Sequence, residues 1–286
     1  MENGYTSIYH GLQVSVTQRP WHGLTYVLGY TWSHSIDFAS LNRAAQPQDS
    51  FRANLERGNS DLDIRHRLTL ALTYNLPSRK GWGQLLEGWQ VNSIVTVQGG
   101  TPWGLTDGFA NGNDISLTGE FSDRWNIFGD AANIKASPSG GIPFFNFSDA
   151  AHSNAACAAH AMLIQLQAFG CFAQNGTVIV PPDPGTFGSM GRNTFRGPRL
   201  DNWDFSLVKT TKITERFDIQ LRAEFFNILN HPHFANPFSG GSLGNVDPSV
   251  PSTFGFASAT PDVAAANPVI GTGGARNIQL GLKLRF

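Results

Sequence analysis

Charge is scarce in this chain. Only 14% of its residues are Asp, Glu, Lys or Arg, where a soluble domain carries about a quarter. The 20 basic and 21 acidic residues leave a net charge of −1. The basic excess of a nucleic-acid surface is therefore missing, and no nucleic-acid partner is expected. No apolar run approaches the ~18 residues that a transmembrane helix needs. This excludes helical spans only, because barrel strands hide their hydrophobicity in alternation and a mean hydropathy of −0.19 does not register it. Metal-ligand spacing, a phosphate-binding loop and a dinucleotide fingerprint are also missing, so no cofactor is expected. Residues 1–13 show no basic stretch followed by an apolar one, the pattern of an export signal.

What is present is alternation. At the carboxy terminus Ile278, Leu280, Leu282, Leu284 and Phe286 occupy every second position, with Asn277, Gln279, Gly281, Lys283 and Arg285 between them. Strand side chains repeat with period two, so one face of this segment is apolar and the other polar. Its length is about the nine to eleven residues of a tilted strand crossing a bilayer. A terminal strand of a soluble sandwich shows the same pattern.

Similar alternation recurs at 8–17, 24–35, 63–76, 89–98, 199–210 and 216–229. The segments are joined alternately by short turns (18–23, 77–88, 211–215) and long connections (36–62, 99–198, 230–274). Transmembrane barrels have this asymmetry, with short turns on one side and long loops on the other. Tyr26, Tyr74, Trp89, Phe217 and Phe286 fall near the short-turn ends, and Tyr30, Trp32, Trp203 and Phe225 near the other, as two aromatic girdles would. Opposite the apolar faces stand Asp63, Arg65, Arg67, Asp218, Gln220, Arg222, Glu224, Lys283 and Arg285. A small soluble barrel is built the other way round. The expected fold is all-β: part of a transmembrane antiparallel up-and-down β-barrel, with about seven C-terminal strands and long extracellular loops. Bacterial barrels close on an even number of strands, at least eight, and an open edge in lipid leaves backbone groups unpaired. The chain is therefore expected to be the downstream part of a longer exported protein.

Several stretches carry a family resemblance: "YTWSHSID" at 30–37, "DIRHRLTLALTYNLP" at 63–77, "GWQVNSIVTVQGGTPW" at 88–103, "FGSMGRNTFRGPRLDNWDFSL" at 187–207, "RAEFFNILNHPHFANP" at 222–237, and the terminal strand. Together, in this order, they resemble the C-terminal barrel portion of an Oar-like TonB-dependent outer-membrane transporter. The resemblance implies a barrel of about 22 strands around a plug domain. It also implies outer-membrane lipid as surroundings, a last strand ending in the periplasm, and energy from the TonB complex reached through an upstream plug. Ile278, Leu280, Leu282, Leu284 and Phe286 resemble the signal read by the barrel-assembly machinery. The function implied is uptake of a bulky nutrient, without enzymatic chemistry. The alternative is a structural or adhesive outer-membrane barrel that transports nothing.

Ligand is expected to meet the long loops, where Trp103, Trp125, Phe144, Phe145, Arg192 and Arg196 offer aromatic and cationic contacts. Cys157 and Cys171 are the only cysteines. In an outer loop facing an oxidising space they are expected to pair, closing a loop of about fifteen residues and constraining its unfolded state by roughly 3 kcal/mol. The Ala-rich run 155–169 suggests a short helix or turn. Gly240-Gly241-Ser242-Leu243-Gly244 matches the hydrolase pattern G-x-S-x-G but lacks the strand–turn–helix setting, and reads as a loop. His231-Pro232-His233 could ligate a metal with a nearby Asp, but the intervening proline at a strand exit favours a turn. Asp61 and Asp63 read as solvated rim charges.

Overall fold

A computed structural model describes residues 6–40, 47–78, 84–105, 114–119, 123–237, 245–246, 252–261 and 273–286. Seven long strands form on the segments that alternate: β1 (Ile8–Trp21), β2 (Leu24–Asp37), β3 (His66–Asn75), β4 (Trp89–Gln98), β5 (Leu200–Lys212), β6 (Asp218–Phe226) and β7 (Asn277–Arg285). β1 runs on through Trp21, so the turn expected at 18–23 shrinks to His22-Gly23. Each pairs antiparallel with the next, so the sheet is an uninterrupted meander with β1 and β7 at its edges.

Register makes the two faces continuous across strands. Leu28 pairs with Leu70, Leu70 with Val95, and Val95 with Trp203. Further along the same face Leu221 pairs with Leu282 and Ala223 with Leu280. Opposite runs a polar row, in which Thr73 pairs with Asn92, Asn92 with Ser206, Ser206 with Glu224, and Glu224 with Gln279. Thr73 Oγ1 donates to Asn92 Oδ1 and Asn92 Nδ2 to Ser206 Oγ, both at 3.0 Å. Val27, Ala71 and Ile94 break the polar face with a small apolar row. Leu12, Trp32, Trp203, Leu221 and Leu280, on five strands of the apolar face, are each more than a third exposed, so no described part of the chain covers it. A soluble sandwich would have covered it.

Alternation in the meander requires all three long connections to leave from one end and all short turns from the other. The tightest turn, His22-Gly23, has positive φ at both residues (48° and 84°), as hairpin twist demands. A Cβ on Gly23 would sit 2.3 Å from the Asn75 carbonyl oxygen. Near this end Lys209 occupies an apolar-face position, opposite Trp89. Its ammonium donates to the Gln84 carbonyl at 2.7 Å and to the Glu87 carbonyl, and lies 5.6 Å from the Trp89 ring centroid. A long stem lets the charge reach those polar groups past apolar surface.

The second long connection is not the unpatterned loop that its composition suggests. It holds a four-stranded sheet (Asn126–Phe128, Phe144–Phe145, Cys171–Gln174, Thr177–Val180) and helices α1 (Ala155–Ala158) and α2 (Leu163–Phe169). Pro102–Leu105 pairs with Phe195–Arg196 and with Asn245–Val246 of the third connection. The buried hydrophobic clusters lie in the long connections rather than in the seven-stranded sheet. One gathers Trp103, Leu105, Trp125, Phe172, Phe195 and Phe254. The other surrounds Cys157, Leu166, Cys171 and Val180. Cys157 and Cys171 are disulfide-bonded, which staples α1 to Cys171–Gln174.

Candidate functional site

The three long connections interlock into a cap, joined by an ionic seam. Acids from the first connection meet arginines from the second. Arg124 Nη1 donates to both oxygens of Glu56 at 2.9 and 2.8 Å, with both side chains under a tenth exposed. Arg124 Nε reaches the Met190 carbonyl at 2.8 Å, and its backbone N–H donates to Gln48 Oε1 at 2.8 Å. Arg192 pairs with Asp37 and lies 3.7 Å from Asp61. Asn193 Nδ2 donates to Asp61 Oδ1 at 2.6 Å. Arg196 pairs with Asp63, which Arg65 also holds at 2.9 Å. The third connection joins through Asn236, whose Nδ2 donates to the Pro102 carbonyl at 2.8 Å. Phe254 completes the aromatic cluster with Trp103 and Phe172.

Asp63 shows how the seam is seated on the strands. Its Oδ1 accepts the Ser35 N–H at 2.7 Å, in the place of a ladder carbonyl. The backbone bond from the Ser33 N–H to the Arg65 carbonyl at 3.1 Å lies just before β3, which starts at His66 rather than at 63. Burial raises the Asp63 pKa, but hydrogen bonds from Arg196, Ser35 and Arg65 outweigh it and hold the carboxyl below its ordinary range. Asp63 is thus not a solvated rim charge: its side chain is fully buried. Asp61, partly exposed and bound by Asn193, is likewise part of the seam. Asp123 goes the other way. Its Oδ2 accepts the Ser116 N–H at 2.9 Å, yet burial dominates and raises its pKa.

The residues expected to meet ligand take up different positions in the cap. Trp103 and Trp125 are 0% and 1% exposed. They are core residues that an external ligand does not reach in this conformation. Arg192 and Arg196 are engaged with Asp37, Asp61 and Asp63, so their charges hold the cap together. Phe144 and Phe145 are half-buried and pack against the two clusters. Ile278, Leu280, Leu282 and Leu284 lie on the bare apolar face of β7, and Phe286 is fully exposed beyond it. Sequence reasoning missed Gln48, Glu56 and Arg124. The only local signal was a charged pair, Asp123-Arg124, directly before Trp125.

Two further features belong to the sheet. Its polar face forms an open concavity of ≈ 330 Å³, lined among others by Gln90, Asn92, Asp204, Gln220, Arg222 and Glu224. Charges there pair with each other, Arg222 with Glu224 at 3.3 Å and Arg285 with Asp218 at 2.7 Å. At the long-connection end, Asp201, His231 and His233 come together. The segment 240–244 lies outside the described residues.

A family model described as "Outer membrane beta barrel domain" matches residues 1–279. Neither the curated proteins nor the solved structures contain a match to this chain.

Proposed function

The chain belongs to the outer membrane β-barrel domain family, and from that membership we propose that it serves as the C-terminal barrel portion of an Oar-like, TonB-dependent uptake receptor for a bulky nutrient. The observation that carries this reading is the cap: the three long connections leave one end of the sheet and fold into a single body with its own aromatic core. A receptor must hold ligand at a shaped outer surface before passing it inward, and loops fixed on a rigid scaffold supply such a surface. The polar face with its paired charges lines the passage and accommodates a plug. The edges of β1 and β7 pair with further strands, because unpaired backbone in lipid costs several kcal/mol per group. Ligand meets the cap through half-buried Phe144 and Phe145 and through the more exposed Met162, Leu163 and Ile164. The barrel-assembly machinery reads β7, and the TonB complex acts through the plug. No catalytic chemistry is assigned.

The test compares cells carrying the intact gene with a deletion strain in a defined mixture of peptides, oligosaccharides and metal chelates. The intact strain should deplete one component that the deletion strain leaves, and an uncoupler should stop that depletion. Identical depletion by both strains would instead favour a structural or adhesive barrel.

A further inference from the structure

Asp201, His231 and His233 come together at the long-connection end of the sheet, apart from the ionic seam. Asp201 lies near the start of β5, paired with Val97. His231 and His233 belong to the segment leaving β6. Asp201 Oδ2 is 3.9 Å from His231 Nδ1, and Asp201 Oδ1 is 3.9 Å from His233 Nδ1. One ligand atom from each residue falls within 4.8 Å of the others. The two carboxylate–imidazole gaps are too long for hydrogen bonds. A Zn²⁺ ion with bonds of about 2.0–2.2 Å places tetrahedral ligand atoms ~3.3 Å apart, so shifts of less than about 1 Å per side chain would close the set.

The backbone holds the two histidines in place. Asn227, with positive φ (51°), is the hub. Its N–H donates to Asp204 Oδ1 at 2.9 Å, and its Nδ2 to the carbonyls of His231 (3.0 Å) and Gly274 (2.8 Å). The His231 N–H returns a bond to Asn227 Oδ1 at 3.1 Å, and the His233 N–H donates to the Gly273 carbonyl at 2.9 Å. Pro232 fixes φ between the two histidines. The rings stand edge to face with centroids 5.2 Å apart. His233 is 2% exposed, and its Nε2 has no hydrogen-bond partner among the described residues. His231 is 63% exposed, leaving the open side of the cluster to solvent.

We propose that Asp201, His231 and His233 form a three-ligand site for a borderline divalent cation, Zn²⁺ in the first place, which ties the third long connection to the start of β5. Two imidazoles and one carboxylate favour such an ion over Ca²⁺ or Mg²⁺, which take oxygen ligands. A fourth position stays open to water. Binding replaces the long 3.4 Å hydrogen bond from the Asp201 N–H to His233 Nδ1 and displaces Arg199, whose exposed guanidinium lies 3.5 Å from Asp201 Oδ2.

The test uses the full chain in detergent, untagged and stripped with a chelator, titrated with Co²⁺ and then Zn²⁺. One equivalent of Co²⁺ should give the visible bands of a tetrahedral site, and Zn²⁺ should abolish them. His231→Gln, at an exposed ring that does not risk the fold, and Asp201→Asn should each lose the bands and weaken Zn²⁺ binding about tenfold or more. His152→Gln, elsewhere in the cap, should retain both. Failure of the wild-type chain to bind one equivalent, or wild-type affinity in His231→Gln, would overturn the assignment.

Discussion

Glu56→Ala tests whether the cap is one body. Glu56 and Arg124 face each other at 2.8–2.9 Å with side chains 8% and 4% exposed. Removing the carboxylate leaves a buried guanidinium with only the Met190 carbonyl at 2.8 Å and the Leu55 carbonyl at 3.5 Å. Breaking a buried pair in this way costs about 3–5 kcal/mol. The Gln48 N–H also loses its acceptor, Glu56 Oε1 at 2.9 Å, worth roughly 1 kcal/mol. Cap melting can be followed through the indoles of Trp103 and Trp125, which are buried and should shift to the red on exposure. The sheet is followed separately by its far-ultraviolet dichroism. Glu56→Ala should lower the cap transition and leave the sheet transition in place. The paired change Glu56→Leu with Arg124→Met removes both charges and should recover most of the loss. A cap transition moved by less than about 1 kcal/mol in Glu56→Ala, or no recovery in the pair, would refute the buried-pair argument.

Three further outcomes follow from the same geometry. Reducing the Cys157–Cys171 bond, which spans 14 residues, should destabilise the cap by about 3 kcal/mol without touching the sheet, as a cap melt with and without reductant would show. For pH the sign follows from Asp63, whose folded pKa lies below its ordinary value of 3.8. Its stabilisation is complete above that value and is lost as pH falls through the folded pKa, so the cap should loosen below about pH 4. Asp63→Asn should be weaker at neutral pH and show a smaller acid step, since Asp49 and Asp114 are also held below their ordinary range; an unchanged step in titrated cap melts would contradict this assignment. Finally, Leu282→Arg on the apolar face should destabilise insertion into vesicles by about 2–4 kcal/mol near the bilayer midplane. Gln279→Arg, on the polar face opposite Glu224, should stay within about 0.5 kcal/mol of wild type.

How much was legible in the sequence divides along one physical line. Strands that meet lipid on one face and water on the other must alternate, so β1 to β7 and their facing residues could be read residue by residue. Leu28, Leu70 and Val95 were assignable to one face before any register was known, and the register joins them. The cap has no such signature. Its strands are two to four residues long, too short for a period to show. Trp103 and Trp125 looked like ligand contacts because they are aromatic side chains in a long connection, whereas folding carries them into a core assembled from distant segments. The arginines misled for a related reason. Asp37 lies 155 residues from Arg192 and Asp63 lies 133 from Arg196, and nothing local reveals such pairing.

The distribution of charge along the seam has a structural consequence. The first connection and its flanks supply Asp37, Glu56, Asp61 and Asp63, while the second supplies Arg124, Arg192 and Arg196. Each connection alone is left with carboxylates or guanidiniums that it does not neutralise, apart from Arg65 beside Asp63 and Arg52 beside Asp49. Burying those charges is favourable only when the two connections meet, because an unpaired buried ion is strongly penalised. Docking of the two connections therefore makes these pairs together. The first connection joins β2 to β3 and the second joins β4 to β5, so docking couples two hairpins at one end of the sheet beyond their shared β3–β4 ladder. Substitutions in the seam should then act together, with Glu56→Ala weakening the Arg196–Asp63 pair it never touches. In a double-mutant cycle between Glu56 and Arg196, a coupling of about 0.5 kcal/mol or more would show docking as one event, and strict additivity would mean that each pair forms alone.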